Sequence, residues 1–252
     1  MREPQATSIL GALRRVLALS PLRLVPAAVI VSASLATIAH AQIRRGASVG
    51  PDYGWWISGG ESAVVMNDIT DGASQSKWRF GSDPLWQARG TIEKALDEFT
   101  TFGVVVGYGR VPVQLSSIAT GDNPKLVTAC QVSCAATTQL WTGMAQFRSG
   151  GGDGFHTFFE ASGGTTVFRD FRTEARGADT AAVPITGIRR SIDLSGILGA
   201  GFGYTLSRSL VVTLVQDVGI GFHSKTDLPE GTGRTWRMRN TRLALRLKFG
   251  GR

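Results

Sequence analysis

Four groups of residues in this 252-residue chain have types and spacings that chemistry could use. His156, Glu160 and Ser162 fall at even spacings in "FHTFFEASGG", and His223, Ser224 and Asp227 crowd together in "FHSKTD". A serine activated by a histidine that a carboxylate orients is the apparatus of acyl transfer. Cys130 and Cys134 lie four apart in "ACQVSCAA", and Gly199, Gly201 and Gly203 alternate in "GAGFGYTL". Two thiols without a neighbouring histidine make a poor zinc site, and their spacing is not that of a redox CxxC pair. In an oxidising compartment they read as a disulfide that staples a loop. Strictly alternating glycines with no helix behind them lack the helix N-terminus that a dinucleotide cradle needs. Neither histidine group matches a catalytic motif, and common polar residues become neighbours by chance. The residues therefore assign no catalytic site, no cofactor and no metal.

What these residues can do depends on the elements that carry them, and the clearest element is "TRLALRLKFG" at 241–250. Leu243, Leu245, Leu247 and Phe249 alternate with Arg242, Ala244, Arg246 and Lys248. Residues two apart lie on nearly opposite faces of a helix but on one face of a strand. The same alternation marks "SIDLSGILGAGFGYTL", where Ile192, Leu194, Leu198, Ala200, Phe202, Tyr204 and Leu206 oppose Asp193 and a row of glycines. It marks "LVVTLVQDVGIGFH" too, where Leu210, Val212, Leu214, Val218, Ile220 and Phe222 oppose Thr213 and Asp217. In "LWQARGTIEKAL", Trp86, Ala88, Ile92 and Leu96 oppose Gln87, Arg89, Thr91 and Glu93. "GWWISGGESAVVM", "TFGVVVGYGRV", "QLWTGMAQFR" and "FHTFFEASGGTTVF" bring the set to eight, most of them about 10 residues or longer, enough to cross a bilayer when tilted.

The connections alternate long, short, long, short, long, short, long, the short ones being "DEFT", "SGGGDG" and "SRS". Up-and-down antiparallel strands produce this when one rim has tight turns and the other has loops free to grow. No connection shows the amphipathic crossover helix that a parallel sheet requires.

Composition supports a folded chain: 42% hydrophobic, 18% charged, with 32 glycines and 9 prolines. The net charge of +8 is spread over leader, strands and loops without a basic tract, which argues against nucleic acid as a partner. Residues 1–41 read as a cleaved signal peptide: Arg14, Arg15 and Arg23, an apolar run, then Ala39-His40-Ala41 before Gln42. The uncharged stretch 24–39 is sixteen residues, interrupted by Pro26, short of the roughly 20 of a spanning helix. The barrel domain is then residues 42–252.

Eight strands closed into a barrel leave an interior just wide enough for side chains. A lipocalin-like soluble barrel would put the apolar set inside and expose the glycine-rich faces. A membrane barrel puts the polar set inside, where charges of opposite sign can pair. The expectation is an all-β, eight-stranded, antiparallel, up-and-down transmembrane β-barrel with short periplasmic turns and long extracellular loops. Its lumenal charge network is expected to join Arg89, Glu93, Asp193, Asp217, Arg242 and Arg246. Trp55, Trp56, Trp86, Trp141, Tyr108 and Tyr204 are placed for interfacial belts.

In these features the chain resembles the small eight-stranded outer-membrane barrels of the OmpA and OmpX type. The resemblance covers nearly all of residues 42–252 and rests on topology. It implies residence in the outer membrane of a Gram-negative-type bacterium, contact with outer-membrane lipid and lipopolysaccharide, and folding by a barrel-assembly machinery that commonly reads a terminal aromatic on the last strand; this chain departs from that pattern, Phe249 being followed by Gly250, Gly251 and Arg252. Some proteins of this architecture are enzymes that modify lipid A, deacylases among them, and others are narrow passive pores. The residues favour neither. The functional expectation is a structural or loop-mediated interaction role in the envelope, without a reaction and with no named loop ligand.

Overall fold

The computed structural model describes residues 53–118, 133–174, 182–185, 187–224, 227–228 and 232–250. The leader and Cys130 lie outside the described residues, and with Cys130 the expected disulfide to Cys134. The described residues hold ten strands, in order β1 (Trp55–Met66), β2 (Ile69–Asp71), β3 (Ser76–Arg79), β4 (Leu85–Ala95), β5 (Thr100–Ser117), β6 (Ser133–Gly150), β7 (Phe155–Thr173), β8 (Ser191–Ser207), β9 (Leu210–Phe222) and β10 (Thr235–Phe249). Eight of them form one antiparallel circuit, β1-β4-β5-β6-β7-β8-β9-β10, in which β10 pairs with β1 from Phe249↔Trp55 to Met238↔Met66 and β5 pairs with β6. Closure leaves no unpaired edge, the condition for crossing a bilayer with strands.

Tight turns at residues 96–99, 151–154 and 208–209 join β4 to β5, β6 to β7 and β8 to β9 at one rim. Asp97 closes the first by accepting the amides of Phe99 and Thr100 at 2.8 and 2.7 Å. Glycine makes the second, with Gly150 and Gly154 at φ of 110° and 66°.

Alternation decides the faces. Leu245 on β10 is 53% exposed, whereas Arg242 is 2% exposed. The outward set includes Ile57, Ile92, Val104, Val106, Leu198, Leu214, Val218, Leu243, Leu245 and Leu247. Exposed aromatic residues flank this belt: Trp55, Phe102, Phe155, Tyr204 and Phe249 towards the tight turns, and Trp86, Tyr108 and Phe222 towards the loops. An apolar band between aromatic girdles, around a charged interior, is the inverse of a soluble barrel and makes lipid the outer solvent. Trp56 corrects the belt reading: it points inward beneath Arg246, 4.5 Å from the guanidinium carbon, because the even positions of β1 face the lumen. Two polar residues on the outer side have local reasons. Lys94 lies over the Trp55 ring at the rim, and Gln216 bonds Thr241 Oγ1 at 2.8 Å and the Asn240 carbonyl at 3.1 Å.

Strands β5 and β6 have 18 residues each. At about 3.3 Å per residue they are ~60 Å long, and with a tilt near 40° they rise well beyond the ~25 Å apolar band. The barrel therefore projects past the membrane on the loop side. There the first long connection, which shows no alternation in sequence, is a hairpin: β2 pairs with β3, and β3 pairs with the far end of β5. Its few large apolar residues are Ile69 and the Trp78, Phe80 pair, split by the small and polar run 70–77, so no sustained two-residue period is visible.

Candidate functional site

The interior has three layers. Nearest the tight turns, Glu93 of β4 meets Arg246 of β10, with Arg148 of β6 at 3.8 Å. Arg148 also pairs with Glu160 of β7, which in turn holds Arg242 of β10. Thr101 Oγ1 and Gln146 Nε2 each donate to Glu93 at 3.0 Å. Beside this chain, Asp217 of β9 accepts from Arg89 at 3.4 Å and from Asn240 at 2.9 Å. All of these charged groups are at least nine-tenths buried. Such charges are tolerated inside only when paired and hydrogen-bonded.

The glycine row is what makes the layer fit. A Cβ on Gly199 would collide with the Asp217 carboxylate, and one on Gly203 with the His156 ring. Arg148 further lies over the Phe158 ring, 4.4 Å from its centroid.

Above the charges the lumen is mainly apolar, with the Gln87–Thr142 and Thr166–Ser195 hydrogen bonds buried in its walls. Val64, Met66, Val105, Leu140, Met144, Ile197 and Met238 are buried in one continuous cluster, which reaches up to Trp78, Phe168 and Trp236.

The third layer lies under the β2–β3 hairpin. His223, just past β9, is clamped between two carboxylates: Nδ1 stands 2.9 Å from Asp193 Oδ2, and Nε2 stands 3.3 Å from Asp71 Oδ1. Trp236 Nε1 donates to Asp193 at 2.7 Å, and Ser191 Oγ donates to it at 2.6 Å. Trp78, with no exposed surface, meets the imidazole edge-on at 5.2 Å. Burial works against a charged imidazole, but the hydrogen bonds and charges of Asp193 and Asp71 outweigh it and lift the His223 pKa to about 9. Burial likewise pushes the Asp71 carboxyl up. The His223 and Ser74 hydrogen bonds and the imidazolium charge outweigh that and hold it below its ordinary range.

Five of the six expected network residues thus line the charged layer: Arg89, Glu93, Asp217, Arg242 and Arg246. The structure links them through Arg148, Glu160 and Asn240. Asp193 stands apart, bound to His223 and Trp236, because the offset between strands carries it to the loop-side layer. Arg148 shares the parity of Thr142, Met144 and Gln146, so extending that row by one step finds it. His156 hydrogen-bonds the Gly154 carbonyl at 3.1 Å. Glu160 is held by two arginines, so the His156, Glu160, Ser162 group is not an acyl-transfer constellation. In the His223 group both ring nitrogens face carboxylates, an arrangement that holds a proton in place. Among the described residues no group of three His, Cys, Asp or Glu is disposed to hold a metal ion.

No protein-family model matches the chain, and no curated protein matches it. Solved structures similar to it include Neisserial surface protein A, 11% identical with a TM-score of 0.44, covering 81% of this chain and 100% of that one. OprG from Pseudomonas aeruginosa is 16% identical with a TM-score of 0.41, covering 79% and 98%. The outer-membrane protease OmpT from Escherichia coli is 7% identical with a TM-score of 0.39, covering 79% and 97%. The closed strand pairing, not these distant likenesses, defines the fold.

Proposed function

We propose that the chain is an integral outer-membrane barrel of the cell envelope. It is exported behind the signal peptide at residues 1–41, received by the barrel-assembly machinery, and embedded among outer-membrane lipid and lipopolysaccharide. The tight turns face the periplasm and the loop rim faces outward. Its role is structural or exercised through the loops, with no reaction of its own. The observation that carries this reading is the filled interior. Salt-bridged side chains occupy the base and a buried, mainly apolar cluster the upper part, the filling expected of an eight-stranded lumen, which leaves little room for a pore or for a cleft around a nucleophile. The loop-side sequences "KTDLPEGTGRTWRMR" and "FRDFRTEARG", which include the loop-side ends of β10 and β7, combine cations with aromatic residues suited to anionic or carbohydrate surfaces.

The test separates three classes. Purified barrel in planar bilayers should give no steady conductance, and lipid A from overexpressing cells should keep its acyl chains and phosphates. Steady conductance would make it a pore. Loss or gain of an acyl chain would make it an enzyme.

A further inference from the structure

A second polar assembly lies on the outer face of β5, β6 and β7, at the loop side of the apolar belt. Tyr108 and Trp141 pack there at a tilt of 49°, with ring centroids 4.5 Å apart. The next outward positions are Arg110, paired in register with Gln139, which is paired in turn with Arg169. At this height β7 is bulged: Gln139 pairs with Arg169 but Thr137 with Arg172, so three steps of β7 match two of β6. Asp170 takes the bulge in the left-handed region, at φ 53°. The extra residue resets the alternation. Phe168 and Phe171 are both buried, while Arg169 and Arg172, three apart, both reach the outer side.

The result is a cluster of guanidinium groups around one carboxylate. Arg110 Nη2 donates to Asp170 Oδ2 at 2.9 Å, and Arg172 Nε donates to Oδ1 at 2.7 Å. Gln139 Nε2 donates to the same carboxylate at 3.0 Å, and its Oε1 accepts from Arg169 Nε at 3.0 Å. The Arg169 guanidinium lies 5.0 Å from the Trp141 ring centroid. Three cations against one anion leave a net charge of +2. Each guanidinium has five N–H donors, of which these bonds use one apiece.

An exposed ion network of this kind adds little stability, and an aspartate in left-handed backbone works against it. What the construction achieves is three planar forks held side by side, directly above an aromatic pair and the exposed Val104 and Val106. That is the level at which headgroups meet acyl chains. Guanidinium forks match phosphate oxygens bidentately. We propose that Arg110, Arg169 and Arg172 form a docking site for the phosphate of a phosphorylated glycolipid headgroup in the outer leaflet, whose acyl chains lie along the Tyr108, Trp141 and valine face. This inference rests on the membrane-barrel reading above and names its lipid partner.

The folded chain, first shown to float with phosphatidylcholine liposomes, is titrated in maltoside micelles and followed by native mass spectrometry. The probes are a bisphosphorylated, acylated glucosamine disaccharide, the same lipid without phosphates, and inorganic phosphate. Binding should require both phosphate and acyl chains, and R110Q/R169Q/R172Q should weaken it about tenfold or more. K94Q/R208Q, at the tight-turn rim, should bind as the unaltered chain does. Should the triple variant fail to fold, R169Q and the phosphate dependence of the unaltered chain decide. Equal binding of the phosphate-free lipid, equal binding of the triple variant, equal loss in the control, or equally tight capture of inorganic phosphate overturns the proposal while the floated barrel stands. Failure to float overturns the membrane reading, and the docking site with it.

Discussion

Arg246 and Glu93 face each other inside a wall whose other side meets hydrocarbon, and each has few alternatives to the other. Removing one partner of a buried pair strands a charge that water cannot reach, which costs about 3–5 kcal/mol. Arg246→Leu leaves Glu93 with Arg148 at 3.8 Å as its remaining cation. The variant should melt well below the unaltered barrel, read as the temperature at which the compact gel band converts to the unfolded one. An unchanged midpoint would mean that the charged layer adds nothing to stability. The faces of Arg89, Glu93, Asp217, Arg242 and Arg246 were legible because the period of two assigns a side chain to one side of the wall. Their partners were not, since parity gives the face but not the height. Which charges meet depends on the stagger of strands far apart in sequence. That stagger links Glu160 to Arg148 and Arg242, and sends Asp193 to His223.

Among the elements, the β2–β3 hairpin is the one that sequence patterning missed. Its attachment is a set of tertiary contacts: Trp78 against Phe168 and Phe171 at 5.6 and 4.8 Å, and Asp71 against His223. The clamp has a definite pH window. The His223 pKa is raised, so its contribution is complete below the ordinary value of 6.5 and is lost as pH rises through about 9. The Asp71 pKa is lowered, so its contribution is present above its ordinary 3.8 and is lost as pH falls through the lower folded value. Hydrogen exchange in residues 67–84 should therefore accelerate as pH rises from about 6.5 through about 9, beyond the intrinsic base-catalysed rise, and His223→Phe should abolish that extra step. An identical profile in the two proteins would mean that the imidazolium does not hold the hairpin. The eight spanning strands, by contrast, were legible because lipid outside and charge inside force alternation on each. Once a segment rises above the bilayer that demand lapses, so β5 to β8 run longer than their clean alternating stretches, and the bulge at Asp170 breaks parity.

At the scale of the whole molecule, everything follows from which solvent the Leu243, Leu245, Leu247 face meets. With lipid outside, the filled lumen, the girdles and the guanidinium cluster at headgroup height have one consistent arrangement. With water outside, the same belt would be a large exposed apolar surface of the kind soluble monomers avoid. The unfolded chain mixed with phosphatidylcholine liposomes and spun through a density gradient after a carbonate wash settles the matter. It should float with the vesicles and, unboiled, run faster on a gel than when boiled. A compact β-rich monomer that stays in the dense fraction, dissolved without detergent, would contradict the membrane barrel.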